Sequence, residues 1–131
     1  MTPDPQCCTA EQTLNEVAQM MVECNCGEIP IVDADKKLVG VVTDRDIVCR
    51  VVAVGKNPAA VTAQEAMTEP VISVGLESSL EAVMAKMEQH QIRRVPVVDL
   101  DGCCRGIIAQ ADVALMAKEQ DTGELVRAVS R

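Results

Sequence analysis

The 131-residue chain contains no phenylalanine, tyrosine or tryptophan. Its core must therefore be built from Val, Ile, Leu, Met, Ala and Cys, and a ligand ring would have to be held by aliphatic side chains. Single-stranded nucleic acids are commonly bound by stacking on aromatic side chains. The composition therefore argues against such a partner.

Positive charge and long apolar runs are also scarce. A net charge of −8 opposes nonspecific binding to DNA, RNA or anionic membranes, although a local basic cluster can still bind phosphate. No run of about 18 apolar residues indicates a membrane span, and no basic and apolar leader is present. We therefore expect a cytoplasmic protein with neither a membrane nor a nucleic acid as partner.

The chain contains an internal repeat. Residues 29–47, IPIVDADKKLVGVVTDRDI, recur without a gap as residues 95–113, VPVVDLDGCCRGIIAQADV, so that residue i corresponds to residue i + 66. Repeats of about sixty residues are marginally stable alone. We therefore expect the two copies to share a core as an internal pseudo-dimer.

Apolar periodicity predicts the same elements in both repeats. Each is expected to run strand, helix, strand, strand, helix, which makes the fold class α+β. Residues 5–8 and 71–74 are predicted strands, and the first helices are expected to begin with capping boxes at Thr13 and Ser78. The predicted division is residues 1–54 for the first repeat, 55–66 for a linker, 67–118 for the second repeat and 119–131 for a tail with a short helix.

Thr43 and Asp46 lie where the last strand of the first repeat meets a helix. Two interpretations fit this spacing. Asp46 can accept hydrogen bonds from a ribose diol while Thr43 and the N–H groups of the helix start face a phosphate. Alternatively, Thr-x-x-Asp is close to a capping box and needs no ligand.

The doubled pattern of proline, apolar strand, acidic turn, glycine-centred strand and Thr-Asp-Arg-Asp-Ile resembles the CBS domain, the repeat named after cystathionine β-synthase. Two copies in tandem resemble a CBS pair. The resemblance implies an adenosine-nucleotide cleft between the repeats, with the ribose on Asp46 beside Thr43. It assigns the adenine to the strand that contains Pro30, lined by Gly27, Ile29 and Pro30, with Val95 and Pro96 as the second repeat's equivalents.

The second repeat departs from this pattern. Its corresponding residues are Ala109, Gln110, Ala111 and Asp112, so Asp112 can still hold a ribose but the threonine hydroxyl is missing. We therefore expect two unequal sites, the second weaker or empty.

Basic residues precede the second repeat's strand. His90, Arg93 and Arg94 stand where the first repeat has Cys24, Gly27 and Glu28. In CBS pairs such cations often reach phosphates across the cleft, and Arg45 and Arg50 are further phosphate candidates. The alternative is a solvated helix end whose cations complement the helix dipole.

Seven cysteines invite a disulfide or metal interpretation. Four of them, Cys8, Cys26, Cys49 and Cys104, correspond to Val74, Ile92, Leu115 and Leu38 and are predicted to be buried free thiols. Cys7, Cys24 and Cys103 are predicted to be more exposed. Because the pair Cys24-x-Cys26 lacks a second pair for zinc, a metal site or functional disulfide is disfavoured. The hairpin aspartates are expected to be turn formers rather than metal ligands.

These observations favour a noncatalytic regulatory sensor for AMP, ADP or ATP. S-adenosylmethionine and NADH carry the same ribose and rank below these three nucleotides, and no bound cofactor is required. The resemblance also implies a homodimer formed through helices and a regulated partner protein. The alternatives are a ligand-independent dimerisation or interaction module, and a thiol-based redox or metal-binding protein.

Overall fold

The computed structural model describes residues 2–3, 5–69 and 71–119. In chain order its elements are β1 (Thr2–Pro3), β2 (Cys8–Thr9), α1 (Leu14–Cys24), β3 (Glu28–Val32), β4 (Leu38–Thr43), α2 (Asp44–Ile47) with a π-helical continuation (Val48–Val52), a 3₁₀ turn (Pro58–Ala60), α3 (Ala63–Ala66), β5 (Val74–Gly75), α4 (Leu80–His90), β6 (Arg94–Val98), β7 (Cys104–Ala109) and α5 (Gln110–Glu119). The predicted α+β class, with a strand-helix-strand-strand-helix order in each repeat, is confirmed. The predicted tail helix lies outside the described residues.

The chain forms two compact units. The first unit comprises Gln6–Val71, and the second combines the described residues of Met1–Pro5 and Ile72–Arg131. The first unit holds a three-stranded sheet in the order β2-β3-β4, and the second holds a four-stranded sheet in the order β1-β7-β6-β5. In both sheets the central hairpin is antiparallel and the strand that precedes the helix pairs parallel to it.

Each unit contains a short segment from the sequence repeat that mainly forms the other unit. Thr2 pairs with Ile107 in the second unit, whereas Thr68, which corresponds to Thr2, forms a bridge with Val41 in the first unit. The compact units therefore do not coincide with the sequence repeats. The boundaries 1–54 and 67–118 remain a prediction drawn from the repeat alone.

An aliphatic core fills each unit. The first is built around the fully buried side chains of Leu14, Val17, Ile31 and Val42. The second is built around Val83, Val95, Val97 and Ile108. None of the helices in the described part of the chain combines the length and the apolar character that a membrane span requires.

Local polar groups define the ends of the helices. Thr13 and Glu16 form the predicted capping box on α1. The prediction for α4 is wrong by one residue, because Ser79 caps it through Ala82 N while Ser78 accepts a hydrogen bond from Gly75 N. The predicted strands at 5–8 and 71–74 are observed only as β2 and β5, where the chain pairs with β3 and β6.

Candidate functional site

Thr43 and Asp46 form a reciprocal pair at the start of α2. Thr43 Oγ1 accepts a hydrogen bond from Asp46 N at 3.1 Å, and Asp46 Oδ2 accepts one from Thr43 N at 2.9 Å. This is a capping box, so the local interpretation of the motif holds. The box also orients the carboxylate of Asp46, a residue that is only 8% exposed.

Thr68 is a partner of Asp46 that the sequence interpretation missed. Its Oγ1 lies 3.1 Å from Asp46 Oδ1 and 3.2 Å from Oδ2. The backbone of Thr68 is fixed by hydrogen bonds in both directions with Val41 on β4. The only sequence signal was the match of Met1-Thr2 with Met67-Thr68 in the repeat register.

Arg50 holds the segment that carries Thr68. Its Nη1 donates to the carbonyl oxygens of Ala66 at 3.0 Å and Met67 at 2.9 Å, and its Nε lies 4.0 Å from Asp46 Oδ1. One guanidinium nitrogen, Nη1, therefore holds the backbone carbonyls beside the carboxylate. This contact gives Arg50 a positioning role, and its assignment as a phosphate ligand stays a prediction, as does that of Arg45. Both residues are exposed.

The N–H groups at the start of α2 already have partners. Asp44 N donates to Gly27 O at 2.9 Å, Arg45 N to Asp44 Oδ1 at 2.8 Å, and Asp46 N to Thr43 Oγ1. These three groups were predicted to face a phosphate, and that prediction is wrong. The groups left for a phosphate are the Thr43 hydroxyl and cationic side chains.

The candidate base-lining residues lie on and beside β3. Ile29 is 1% exposed and belongs to the core of the first unit, so its side chain serves packing. Because neighbouring strand residues point to opposite faces, Pro30 lies on the other face of β3, where it is also buried. Gly27 is half-buried and joins α1 to β3.

At the start of α5 the second unit forms one of the two hydrogen bonds of this capping box. Asp112 Oδ2 accepts a hydrogen bond from Ala109 N at 2.9 Å, and Ala109 offers no hydroxyl in return. Val95 and Pro96 are buried on β6, whereas Arg94 and Asp112 are half-buried. His90 and Arg93 are exposed at the end of α4 and just before β6.

The sequence pattern of the CBS domain matches residues 1–53 and 63–118. The chain belongs to the CBS domain family. The two matches make it a CBS pair, as the doubled pattern predicted.

Three comparisons with known proteins are informative. Hypoxic response protein 1 of Mycobacterium tuberculosis is 36% identical over 94% of this chain and 85% of its own length. The crystal structure of Hypoxic Response Protein I with two coordinated zinc ions has a TM-score of 0.80 at 36% identity and covers 88% of this chain and 92% of that one. The CBS domain pair of protein MJ0100, solved in complex with 5′-methylthioadenosine and S-adenosyl-L-methionine, has a TM-score of 0.75 at 30% identity and covers 89% and 92%.

In the CBS pair the first aspartate of each hairpin, Asp33 or Asp99, stabilises the turn. Asp33 Oδ1 accepts hydrogen bonds from the backbone of Asp35 and Lys37, and Asp99 does the same for Asp101 and Cys103. In the part of the chain that the structure describes, no three His, Cys, Asp or Glu residues are grouped to hold a metal ion.

The cysteines follow the repeat comparison only in part. Cys8 is fully buried, as predicted, and burial together with Cys7 and Glu16 raises the pKa of its thiol to about 11. Cys26 and Cys49 are exposed and Cys104 is half-buried, so the predicted burial is wrong for these three residues. Cys24 and Cys26 are joined by a disulfide, which the sequence interpretation had disfavoured.

Proposed function

We propose that this CBS pair is a noncatalytic regulatory module that binds an adenosine-containing ligand, with Asp46 accepting the hydroxyl groups of the ribose. The observation that carries the proposal is a buried carboxylate held in one orientation. Thr43 N fixes Oδ2, and the Thr68 hydroxyl contacts both oxygens.

Asp46 retains capacity for a ligand. A carboxylate offers about four acceptor positions. Thr43 N occupies one, and the Thr68 hydroxyl occupies one more because it has a single hydrogen to donate. About two positions therefore remain for the two hydroxyl groups of a ribose.

The neighbouring groups suit a nucleoside. Thr43 Oγ1 accepts the cap hydrogen bond and has its own hydroxyl hydrogen to donate. The lack of aromatic side chains assigns the adenine to aliphatic surface, and we assign it to the face of β3 that carries Pro30. Arg45, His90, Arg93 and Arg94 are the first candidates for phosphate groups, and Arg50 is a further one.

The comparison with MJ0100 supports the ligand class. Its CBS pair was solved with 5′-methylthioadenosine and S-adenosyl-L-methionine, which share an adenosine moiety with AMP, ADP and ATP. A carboxylate that binds the ribose can therefore bind any of these five ligands. AMP, ADP and ATP are proposed here, and S-adenosylmethionine and NADH are the next ligands to test.

Isothermal titration calorimetry with AMP, ATP and S-adenosylmethionine tests the proposal. Asp46→Ala removes hydrogen bonds to a charged group, worth about 1.5–3 kcal/mol, and should weaken binding about tenfold to a hundredfold. Asp112→Ala should leave the main binding event almost unchanged, because Ala109 supplies no hydroxyl to that site.

Glu16→Ala is the matched control. It removes the carboxylate of the α1 capping box, as Asp46→Ala does for α2, and should cost about 1 kcal/mol of stability without loss of affinity. Equal losses in the Asp46 and Asp112 variants would contradict the unequal sites. Absence of binding by all three ligands would favour the ligand-independent interaction module.

Exposed valines support assembly as a second role. Val48 and Val52, four residues apart on the helix after β4, are 56% and 60% exposed. Leu115 on α5 is likewise exposed. We propose that such helix surfaces associate two copies of the chain, and that the assembly acts on a partner protein.

A further inference from the structure

Cys24 and Cys26 form a disulfide where α1 ends. Their Cα atoms are 5.4 Å apart, within the usual range for such a bond. Asn25 between them caps the helix in the left-handed conformation, with φ of 53°. Both cysteines are exposed, so small molecules in solvent can reach them.

The second repeat builds the same turn without sulfur. Gln91 has φ of 52°, and Ile92 N donates to Met87 O at 3.0 Å just as Cys26 N donates to Met21 O at 3.0 Å. The corresponding side chains there are His90 and Ile92. The disulfide is therefore not what creates the turn, and its reduction should leave the backbone in place.

The link to the next helix is also the same in both repeats. Gln110 N donates to Arg93 O at 2.8 Å, as Asp44 N donates to Gly27 O at 2.9 Å. Since a disulfide that encloses only three residues removes little chain entropy, reduction should lower the melting temperature by about 5 °C or less. A bond with so small a structural contribution fits a reversible role better than a structural one.

We propose that Cys24 and Cys26 are a reversible redox site that exchanges with low-molecular-weight disulfides such as oxidised glutathione. One cysteine thiolate attacks a glutathione sulfur, the glutathione S–S bond breaks, and one glutathione thiolate leaves and takes a proton. The other cysteine then attacks the protein sulfur of the mixed disulfide and expels the second glutathione. Two protein thiols are oxidised and one glutathione disulfide is reduced to two thiols.

The other cysteines provide internal comparisons. Cys49 is an exposed free thiol with no cysteine nearby in sequence, so its mixed disulfide has no resolving partner from the same helix. Cys8 is buried and its pKa is raised to about 11, which keeps it protonated and unreactive near neutral pH.

The test is peptide mass spectrometry on the full chain. The reduced protein is incubated with oxidised glutathione, quenched with acid and alkylated. The peptide with Cys24 and Cys26 should lose two hydrogens and carry no glutathione, whereas the Cys49 peptide should gain glutathione. Dithiothreitol should reverse both changes.

Two variants complete the test. Cys24→Ser should trap glutathione on Cys26, because the resolving thiol is gone. The double variant Cys24→His with Cys26→Ile recreates the turn of the second repeat and should fold without a redox response at this position. The proposal is overturned if the wild-type pair stays reduced or retains glutathione under conditions that modify Cys49, or if Cys24→Ser leaves Cys26 unmodified.

Discussion

Lys36 and Gly102 occupy the same place in the two hairpin turns, and both have positive φ, 67° and 86°. A side chain in the left-handed region costs about 1–2 kcal/mol, and glycine avoids this cost. Lys36→Gly should therefore raise stability by about 0.5 kcal/mol after the added freedom of the unfolded chain is subtracted. The urea midpoint measures the effect.

The reverse substitution is the control for this prediction. Gly102→Lys places the first repeat's residue in the second turn and should lower the urea midpoint by a similar amount. Both turns keep the backbone hydrogen bonds to Asp33 and Asp99. Opposite signs in the two variants are expected, and equal signs would contradict the conformational explanation.

At the residue scale, local spacing predicted local contacts. Thr43 and Asp46 lie three residues apart, so their pairing was readable from the sequence. Thr68 was missed because its contact with Asp46 spans 22 residues and depends on the chain returning beside β4. The N–H of Asp44 was misassigned for the same reason, since its acceptor, Gly27, precedes the hairpin.

The strand β2 contributes a titratable group to the core of the first unit. Cys8 is fully buried, and burial raises its pKa from the ordinary value of about 9 to about 11. Below about pH 9 the thiol is neutral in both states. Between about pH 9 and 11 it ionises only when the chain unfolds, so stability falls as the pH rises through this range.

Cys8→Val tests this pH dependence. Valine is the residue at the corresponding position 74, where it is also buried, so the variant should fold. Its melting temperature should fall less than that of the wild type between about pH 9 and 11. Cys49→Val, at an exposed position, should keep the wild-type pH profile, and a flattened profile in that variant would contradict the assignment to Cys8.

At the element scale, periodicity located the helices and the paired strands, but the ends depended on finer signals. The repeat register places Ser79, not Ser78, opposite Thr13, and Ser79 is the observed cap. The short strands β2 and β5 have two residues each because pairing with β3 and β6, rather than side-chain pattern, limits them. The burial of Cys26 was mispredicted because Ile92, the corresponding residue of the second repeat, is itself only half-buried.

At the scale of the whole molecule, apolar contact between two copies favours the proposed homodimer, and repulsion between their like net charges opposes it. Each chain has a net charge of −8, so two copies repel at low ionic strength. At 0.1 M salt, exposed charges that lie more than about 10 Å apart are largely screened from each other. The stabilisation gained by burying Val48 and Val52 is little affected by this screening. Association should therefore strengthen as salt is added, the opposite of an interface held by exposed ion pairs.

Val52→Lys tests which surface associates. It adds a charge to the proposed apolar patch and should raise the dimer dissociation constant at least about tenfold, the equivalent of about 1.4 kcal/mol, measured by light scattering on a dilution series. Val22→Lys is the matched control, since Val22 is 81% exposed but lies on α1. Because either Lys lowers the magnitude of the net negative charge and so weakens the repulsion between two copies, equal dissociation by both variants would contradict the assignment of the interface to the helix after β4. If only Val52→Lys dissociates, and added salt fails to restore its dimer, the apolar patch is the interface, because salt screens charge repulsion but does not replace the lost apolar contact.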